Sequence, residues 1–265
     1  MTVKFDMTNE EYHLDPSLSA SGTKTIAMHD LATFKYAERK ESTAFDVGTA
    51  THTFVLQPEL SGEVWCGPET RRGLEWKQKK HDADEAGALL LTESDYKLAV
   101  DMAEAVRANK AAAELLSGDL VCEASVFARH EGTGVDIRCR PDGWRRDIGA
   151  LVDLKTTITS DPAGFARQCA NLGYHIQDQH YRMTMEAAGF EIDRFVFIAV
   201  EKTKPHRVGV YELDHDSLVE GRHACQYAFE KFARASSTNE GGYNFGDLKT
   251  IQIPRYSFTF SQIGE

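Results

Sequence analysis

Long apolar runs are missing from this sequence. None approaches the roughly 20 residues that a bilayer span requires, and the segment Met1 to Thr8 lacks the apolar centre of a signal peptide. A soluble cytoplasmic protein with no membrane partner is therefore expected. Cysteine is scarce and odd in number, five residues at 66, 122, 139, 169 and 225, and no two are spaced as C-x-x-C. That argues against a disulfide framework and a zinc knuckle; reduced, mostly buried thiols suit a reducing compartment. Internal repeats and low-complexity tracts are also lacking. So is any excess of basic charge: 30 Lys and Arg against 41 Asp and Glu leave a net charge of −11. This is the wrong sign for a protein that coats nucleic acid non-specifically. An enzyme with a local basic channel is still allowed, because the field near a site depends on where the charges sit.

What is present is enough apolar material, 42% of 265 residues, for one sizeable core and room for a small second lobe. Ser19 or Ser21 caps a helix expected to run to about Arg39, burying Ile26, Leu31 and Phe34. A second helix covers 44–56 and stops at Pro58. Gly48 inside it costs up to about 1 kcal/mol relative to Ala, which points to close packing or approach to a ligand. Residues 67–87 read as loop. They hold Arg71, Arg72, Lys77, Lys79 and Lys80 around Trp76, a grouping that reads either as a solvated surface or as a grip on a nucleic-acid strand by phosphate contact and stacking. An amphipathic helix follows from the Thr92-x-x-Asp95 capping box, with a break near Asn109 and an end at Leu116. Further on, helices are expected at 161–171, 173–189 and 215–235, and strands at 194–201 and 207–213. The 236–265 tail has no clear period.

The chemistry concentrates between these halves, in Arg140-Pro141-Asp142-Gly143-Trp144 and Leu151-Val152-Asp153-Leu154-Lys155. Val152 and Leu154 share one strand face at period two, so Asp153 and Lys155 share the other. Residues 145–149 are polar and end in glycine, as a hairpin turn does. If that hairpin is symmetric about 147–148, Asp142 lies across from Asp153. Glu131-Gly132-Thr133-Gly134 marks a second turn between strands at 119–130 and 134–144. Centred between 132 and 133, it sets Glu123 opposite Asp142. Three acids then form a row over three adjacent strands. Like charges facing one another across a ladder are destabilising, so the row calls for a cation; a hard divalent ion takes such oxygen ligands. A solvated hairpin with incidental acids is the alternative.

The full order runs His52, Glu123, Asp142, Asp153-Leu154-Lys155, then Gln177-x-x-x-Tyr181 on one helix face. It resembles the PD-(D/E)xK nuclease superfamily in its RecB-like branch. With Leu18-Ser19-Ala20-Ser21 and Val47-Gly48-Thr49-Ala50-Thr51-His52, it is most similar to the exonuclease VIII (RecE-type) nuclease domain, over about residues 10–215. The resemblance implies an α/β (α+β) fold, a mixed central sheet flanked by helices around a restriction-endonuclease-like core with an N-terminal helical elaboration. It implies a single nuclease domain over 1–265: a mainly helical part to 118, a catalytic core over 119–215, and a C-terminal helix and tail over 216–265. It also implies a Mg²⁺-dependent exonuclease, with Mn²⁺ substituting, that digests linear double-stranded DNA 5′-to-3′ in phage or prophage recombination. A ring-shaped homo-oligomer, a single-strand annealing partner and a bacterial or phage source belong to the same picture.

On that reading, Asp142 and Asp153 hold the metal, with the Leu154 carbonyl, His52 and Glu123 as further ligands. Lys155 orients the attacking water or neutralises developing charge. Gln177 and Tyr181 either bind a phosphate or fix Lys155. Arg71, Arg72 and Lys77 are the expected DNA contacts, and His175 and His180 are bystanders. An endonuclease of the same superfamily and a catalytically silent DNA-binding module are the competing functions. An iron–sulfur variant needs a cysteine cluster after the Gln177 helix, where only Cys225 lies.

Overall fold

Two hydrophobic segments, 150–157 and 194–201, pair in parallel at the centre of a mixed sheet. The computed structural model describes residues 2–36 and 43–238, together with 248, 250–252 and 254. The strands are β1 (Thr2–Lys4), β2 (Leu18–Ser19), β3 (Val64–Cys66), β4 (Leu89–Leu91), β5 (Leu120–Cys122), β6 (Ser125–Arg129), β7 (Asp136–Cys139), β8 (Gly143–Arg145), β9 (Ala150–Thr157), β10 (Arg194–Glu201) and β11 (Val208–Tyr211). The helices are α1 (Asn9–Leu14), α2 (Ala20–Met28), α3 (Leu31–Tyr36), α4 (Thr43–Leu56), α5 (Leu74–Ala86), α6 (Glu93–Ala108), α7 (Lys110–Leu115), α8 (Pro162–Leu172), α9 (Tyr174–Ala187) and α10 (His215–Thr238). The central sheet has the order β11-β10-β9-β8-β5, a second sheet the order β1-β6-β7-β2, and β3 pairs with β4.

Both faces of the central sheet are covered, which is why β10 reads as an apolar run from Phe195 to Val200 and β9 as an apolar strand interrupted at Asp153 and Lys155. Val152, Leu154, Val196 and Ile198 pack with Val47 and Phe54 of α4 and Met102 and Val106 of α6. Leu151, Phe195 and Phe197 pack on the other side with Phe165 of α8, Ile176 of α9 and Phe229 of α10. Asp153 alternates onto this second side, beneath α9. The result is the mixed α/β architecture that the family likeness implied.

Several local expectations need correction. The first long helix is two, α2 and α3, because the backbone leaves helical geometry at His29 (φ −127°, ψ −102°). Ser19 is its N-cap, accepting from the Gly22 N–H. Residues 37–39, its expected end, and the tail beyond Thr238 apart from the positions given above, lie outside the described residues. The segment 67–87 is not loop throughout, since 74–86 form α5. That helix has almost no apolar periodicity. It is held by i,i+4 ion pairs (Glu75–Lys79 and Lys80–Asp84), by Gly87 in the left-handed conformation at its C-terminus, and by Trp76 and Ala83, buried against Leu90.

The strands expected at 119–130 and 134–144 are each broken in two. The registers β6–β7 (Val126↔Cys139) and β5–β8 (Cys122↔Gly143) nevertheless keep the same count. They are one hairpin, bent where its arms pass from one sheet to the other. Pro141, which has no N–H for the ladder, and Glu123, at φ +55°, sit at the bend.

Phe197 has no exposed surface and stacks on Tyr174 at 5.6 Å. Phe197→Ala should lower stability by about 3–5 kcal/mol, read as a shift of the urea midpoint. An unchanged midpoint would contradict a sheet covered on this face.

Candidate active site

The bend creates the site. Extending the two registers by one position places Glu123 opposite Asp142 and Asp142 opposite Asp153. The Glu123 N–H still reaches the Asp142 carbonyl at 3.3 Å, but its left-handed backbone turns its side chain out of the pleat. Such a conformation is rare for a residue with a Cβ, and it marks a place where surrounding structure holds the chain against local preference.

One ligand atom each from His52, Glu123 and Asp142 lies within 4.8 Å of the others. His52 arrives on α4, whose Gly48, one turn earlier, faces Thr156 of β9. A Cβ on Gly48 would stand 3.6 Å from Thr156 Oγ1, an ordinary contact, so the helix rests on the strand here without being forced against it. His52 Nδ1 is 3.5 Å from Asp142 Oδ2. The same Asp142 oxygen accepts the Leu154 N–H at 2.7 Å. Leu154 thus touches Asp142 through its N–H. Its carbonyl points to the same strand edge, as the two groups of one extended residue do.

Asp153, 1% exposed, stands outside that trio. Its Oδ1 pairs with Lys155 Nζ at 2.5 Å and its Oδ2 accepts from Gln177 Nε2 at 2.6 Å. Tyr181, one turn along α9, donates to the Arg140 carbonyl at 3.1 Å. Neither residue of the Gln177-x-x-x-Tyr181 pair touches Lys155: one holds Asp153 and the other holds the backbone leading into Asp142. Between them, His180 bridges Thr23 Oγ1 and the Arg138 carbonyl, each at 2.9 Å. Burial pushes its imidazole down to about 4, so it is neutral and structural.

The electrostatics follow from this crowding. Burial, with the Asp142 charge added, raises the Glu123 carboxyl to about 8, against the Arg140 guanidinium. Burial and Asp153 also raise Asp142, opposed by His52, Lys155 and the Leu154 N–H. Burial alone would depress Lys155; the Asp153 and Asp142 carboxylates overcome it and raise its ammonium instead.

Two residues given no role in the sequence reading belong here. Arg140 lies beside Glu123 on a cleft of about 410 Å³ that His52 also lines. Its guanidinium is spent on Ser125 Oγ, Asn9 Oδ1 and the Met7 carbonyl. Its position beside Pro141-Asp142 was the available signal. Lys24 of α2 reaches the ring of Tyr174, which Lys155 also covers; 131 positions of sequence separate the two lysines, and nothing local links them.

The expected DNA contacts lie elsewhere. Arg71 pairs with Asp95 at 3.0 Å and Asp46 at 3.8 Å and lies over Trp76. Arg72 and Lys77 are exposed. Trp76 is buried, which removes it as a base-stacking platform. The five cysteines are free thiols, and among the described residues no helix is long and apolar enough to cross a membrane.

A family described as a PDDEXK-like domain of unknown function (DUF3799) matches residues 19–252. A crystal structure from Eubacterium rectale, assigned as an exonuclease, aligns over 97% of this chain and 100% of its own, at 18% identity and a TM-score of 0.59, a likeness of fold. A phage-related exonuclease from Haemophilus somnus 129PT is far more distant, at 13% identity and a TM-score of 0.33 over 85% of this chain and 99% of its own. No curated protein matches.

The raised Glu123 carboxyl has a measurable sign. Its ordinary value is 4.5 and its folded value about 8, so stability present below pH 4.5 is lost as pH climbs toward 8. In chelator, Glu123→Gln should flatten that fall in thermal melts between pH 5 and 8.5. A wild-type profile with no decline, or a variant that declines equally, would refute the raised carboxyl.

Proposed function

We propose that this chain, which belongs to the PDDEXK-like domain family of the PD-(D/E)xK nuclease superfamily, is a divalent-metal-dependent exonuclease that hydrolyses phosphodiester bonds of linear double-stranded DNA. The observation that carries the reading is the convergence of His52, Glu123 and Asp142 within 4.8 Å, next to a carboxylate, Asp153, already paired with Lys155. The donor set fits a hard divalent ion such as Mg²⁺ or Mn²⁺: two carboxyl groups and an imidazole, with both carboxyls pushed upward by burial and by the neighbouring acids. Glu123, Asp142 and His52 would hold it, with Asp153 and the Leu154 carbonyl on the neighbouring strand to complete the set. When bound, such an ion supplies Lewis acidity toward phosphate oxygens and acidifies water.

The chain's own groups have separable tasks. Lys155 would donate a hydrogen bond to the attacking water or to charge developing on the phosphate, in surroundings dry enough to strengthen it. Gln177 would act on Asp153, keeping its Oδ1 turned toward Lys155. Tyr181 and Arg140 would position Asp142 by anchoring the backbone before it. Exposed Arg72 and Lys77, and Arg71 where it leaves its carboxylate partners, would meet the phosphate backbone from α5 and the segment just before it. The likeness to RecE-type domains adds 5′-to-3′ polarity, a homo-oligomer, an annealing partner and a cytoplasmic setting to the reading.

Two measurements test it. Asp142→Asn and Lys155→Ala should each reduce hydrolysis by at least ~10²-fold with the fold retained, although Lys155→Ala melts earlier because it leaves the buried Asp153 carboxylate without its cation; full activity in either removes the mechanism. End-labelled linear duplex should be consumed in Mg²⁺ and spared in chelator, and a closed circle should survive both. A nicked or linearised circle would make the enzyme an endonuclease. Intact linear DNA in both Mg²⁺ and Mn²⁺ would end the hydrolase reading.

A further inference from the structure

Lys24 is a half-buried ammonium without a carboxylate of its own. Its helix, α2, is set by the Ser19 cap and by Thr23, which has no exposed surface and is tied to His180 of α9. Lys24 follows Thr23 and turns its stem onto Gly173 at the α8–α9 junction. A Cβ built on Gly173 would meet Lys24 Cδ at 3.2 Å and Cγ at 3.3 Å, so the glycine leaves a groove that the stem occupies. The ammonium ends 5.8 Å from the centre of the Tyr174 ring, and Lys155 Nζ stands 4.9 Å from the same centre. Two cations therefore share one aromatic ring.

Only one of them is neutralised. Both oxygens of Asp153 are taken, one by Lys155 and one by Gln177, and among the described residues Lys24 makes no ion pair. Burial and the Lys155 charge push its ammonium down to about 8, with Asp153 opposing. A buried charge left unpaired is costly, and a ligand that brings the missing anion recovers the cost. The two sides of the site thus differ in sign: acids around His52, and paired ammonium groups around Tyr174.

We propose that Lys24 is a second phosphate-binding residue of this site, contacting an anionic phosphate of the nucleic-acid strand beside the one Lys155 serves. This rests on the nuclease reading for its substrate, though not for its test. The aromatic ring sets the place of both ammoniums before any strand arrives, and the Gly173 groove lets the Lys24 stem lie flat enough to reach it.

The full chain, its Lys24→Met variant and its Lys24→Arg variant would be titrated with a fluorescent duplex oligonucleotide in Ca²⁺ over a KCl series. Each phosphate contact contributes about −0.9 to the slope of log K against log salt. Lys24→Met should lose about one such unit and weaken binding roughly tenfold or more, while Lys24→Arg keeps the slope. Divalent-ion binding, followed by calorimetry, should be unchanged in both. Thermal stability of Lys24→Met should equal or exceed wild type, because an unpaired ammonium has been replaced by an apolar chain. Should that variant fail to fold, Lys24→Gln gives the same slope comparison. A slope unchanged in the charge-free variant overturns the inference, as does a variant that merely melts earlier with its slope intact. A wild type that binds the duplex and never cuts it sinks the hydrolase reading alone, since the slope still decides the role of Lys24.

Discussion

Repulsion among Glu123, Asp142 and Asp153 is the constraint around which the site is arranged. Three carboxyls in consecutive register positions, partly or wholly shielded from water, oppose the ladder that brings them together. The chain answers in three ways. Lys155 and Gln177 each hold one oxygen of Asp153. The Leu154 N–H and the His52 imidazole face Asp142. Glu123 has no counterpart of similar quality, and there the chain holds a proton well above the usual carboxylate range and a left-handed backbone. The imbalance is local to the trio, which is where an incoming cation relieves most.

Helix α9 keeps this arrangement from relaxing. Its buried polar face uses positions 177, 180 and 181 to hold Asp153, the Arg138 carbonyl and the Arg140 carbonyl in turn. These targets lie on two different sheets, so the helix ties together the strands on either side of the hairpin bend. From the opposite direction, Arg140 draws in the amino-terminal segment through Met7 and Asn9. The bend is thus gripped by a helix on one flank and an extended segment on the other. The apolar layers on both faces of β9 and β10 supply the rigidity behind it.

Much of the site was legible because strand pairing obeys arithmetic. Glycine-centred turns fix the count, period two fixes the face, and the partners of Asp142 follow from those two facts alone. What this reasoning missed was that the strands break: a ladder count is indifferent to a bend that preserves register, and Pro141 was the sole local hint. Helix α5 was invisible for another reason. Its stability comes from charge pairs at i,i+4 and one buried tryptophan, which leave no apolar stripe to read. Lys24 was out of reach altogether, since its neighbours come from α9 and β9 and the spacing along the chain carries no trace of them. The distant Gln177 and Tyr181 were found, yet their targets were not: which acceptor a buried donor meets is decided by packing.

The bent hairpin makes the far loop at 130–134 matter at a distance. Arms 120–129 and 136–145 share a single count from that loop through the bend to the acids. One residue inserted there, remote from any ligand, would slide one arm against the other and bring Pro141 or Gly143 opposite Glu123. Loop length, more than loop chemistry, is then the heritable quantity that keeps the acidic trio assembled. Related chains should vary freely in which residues fill that turn and very little in how many.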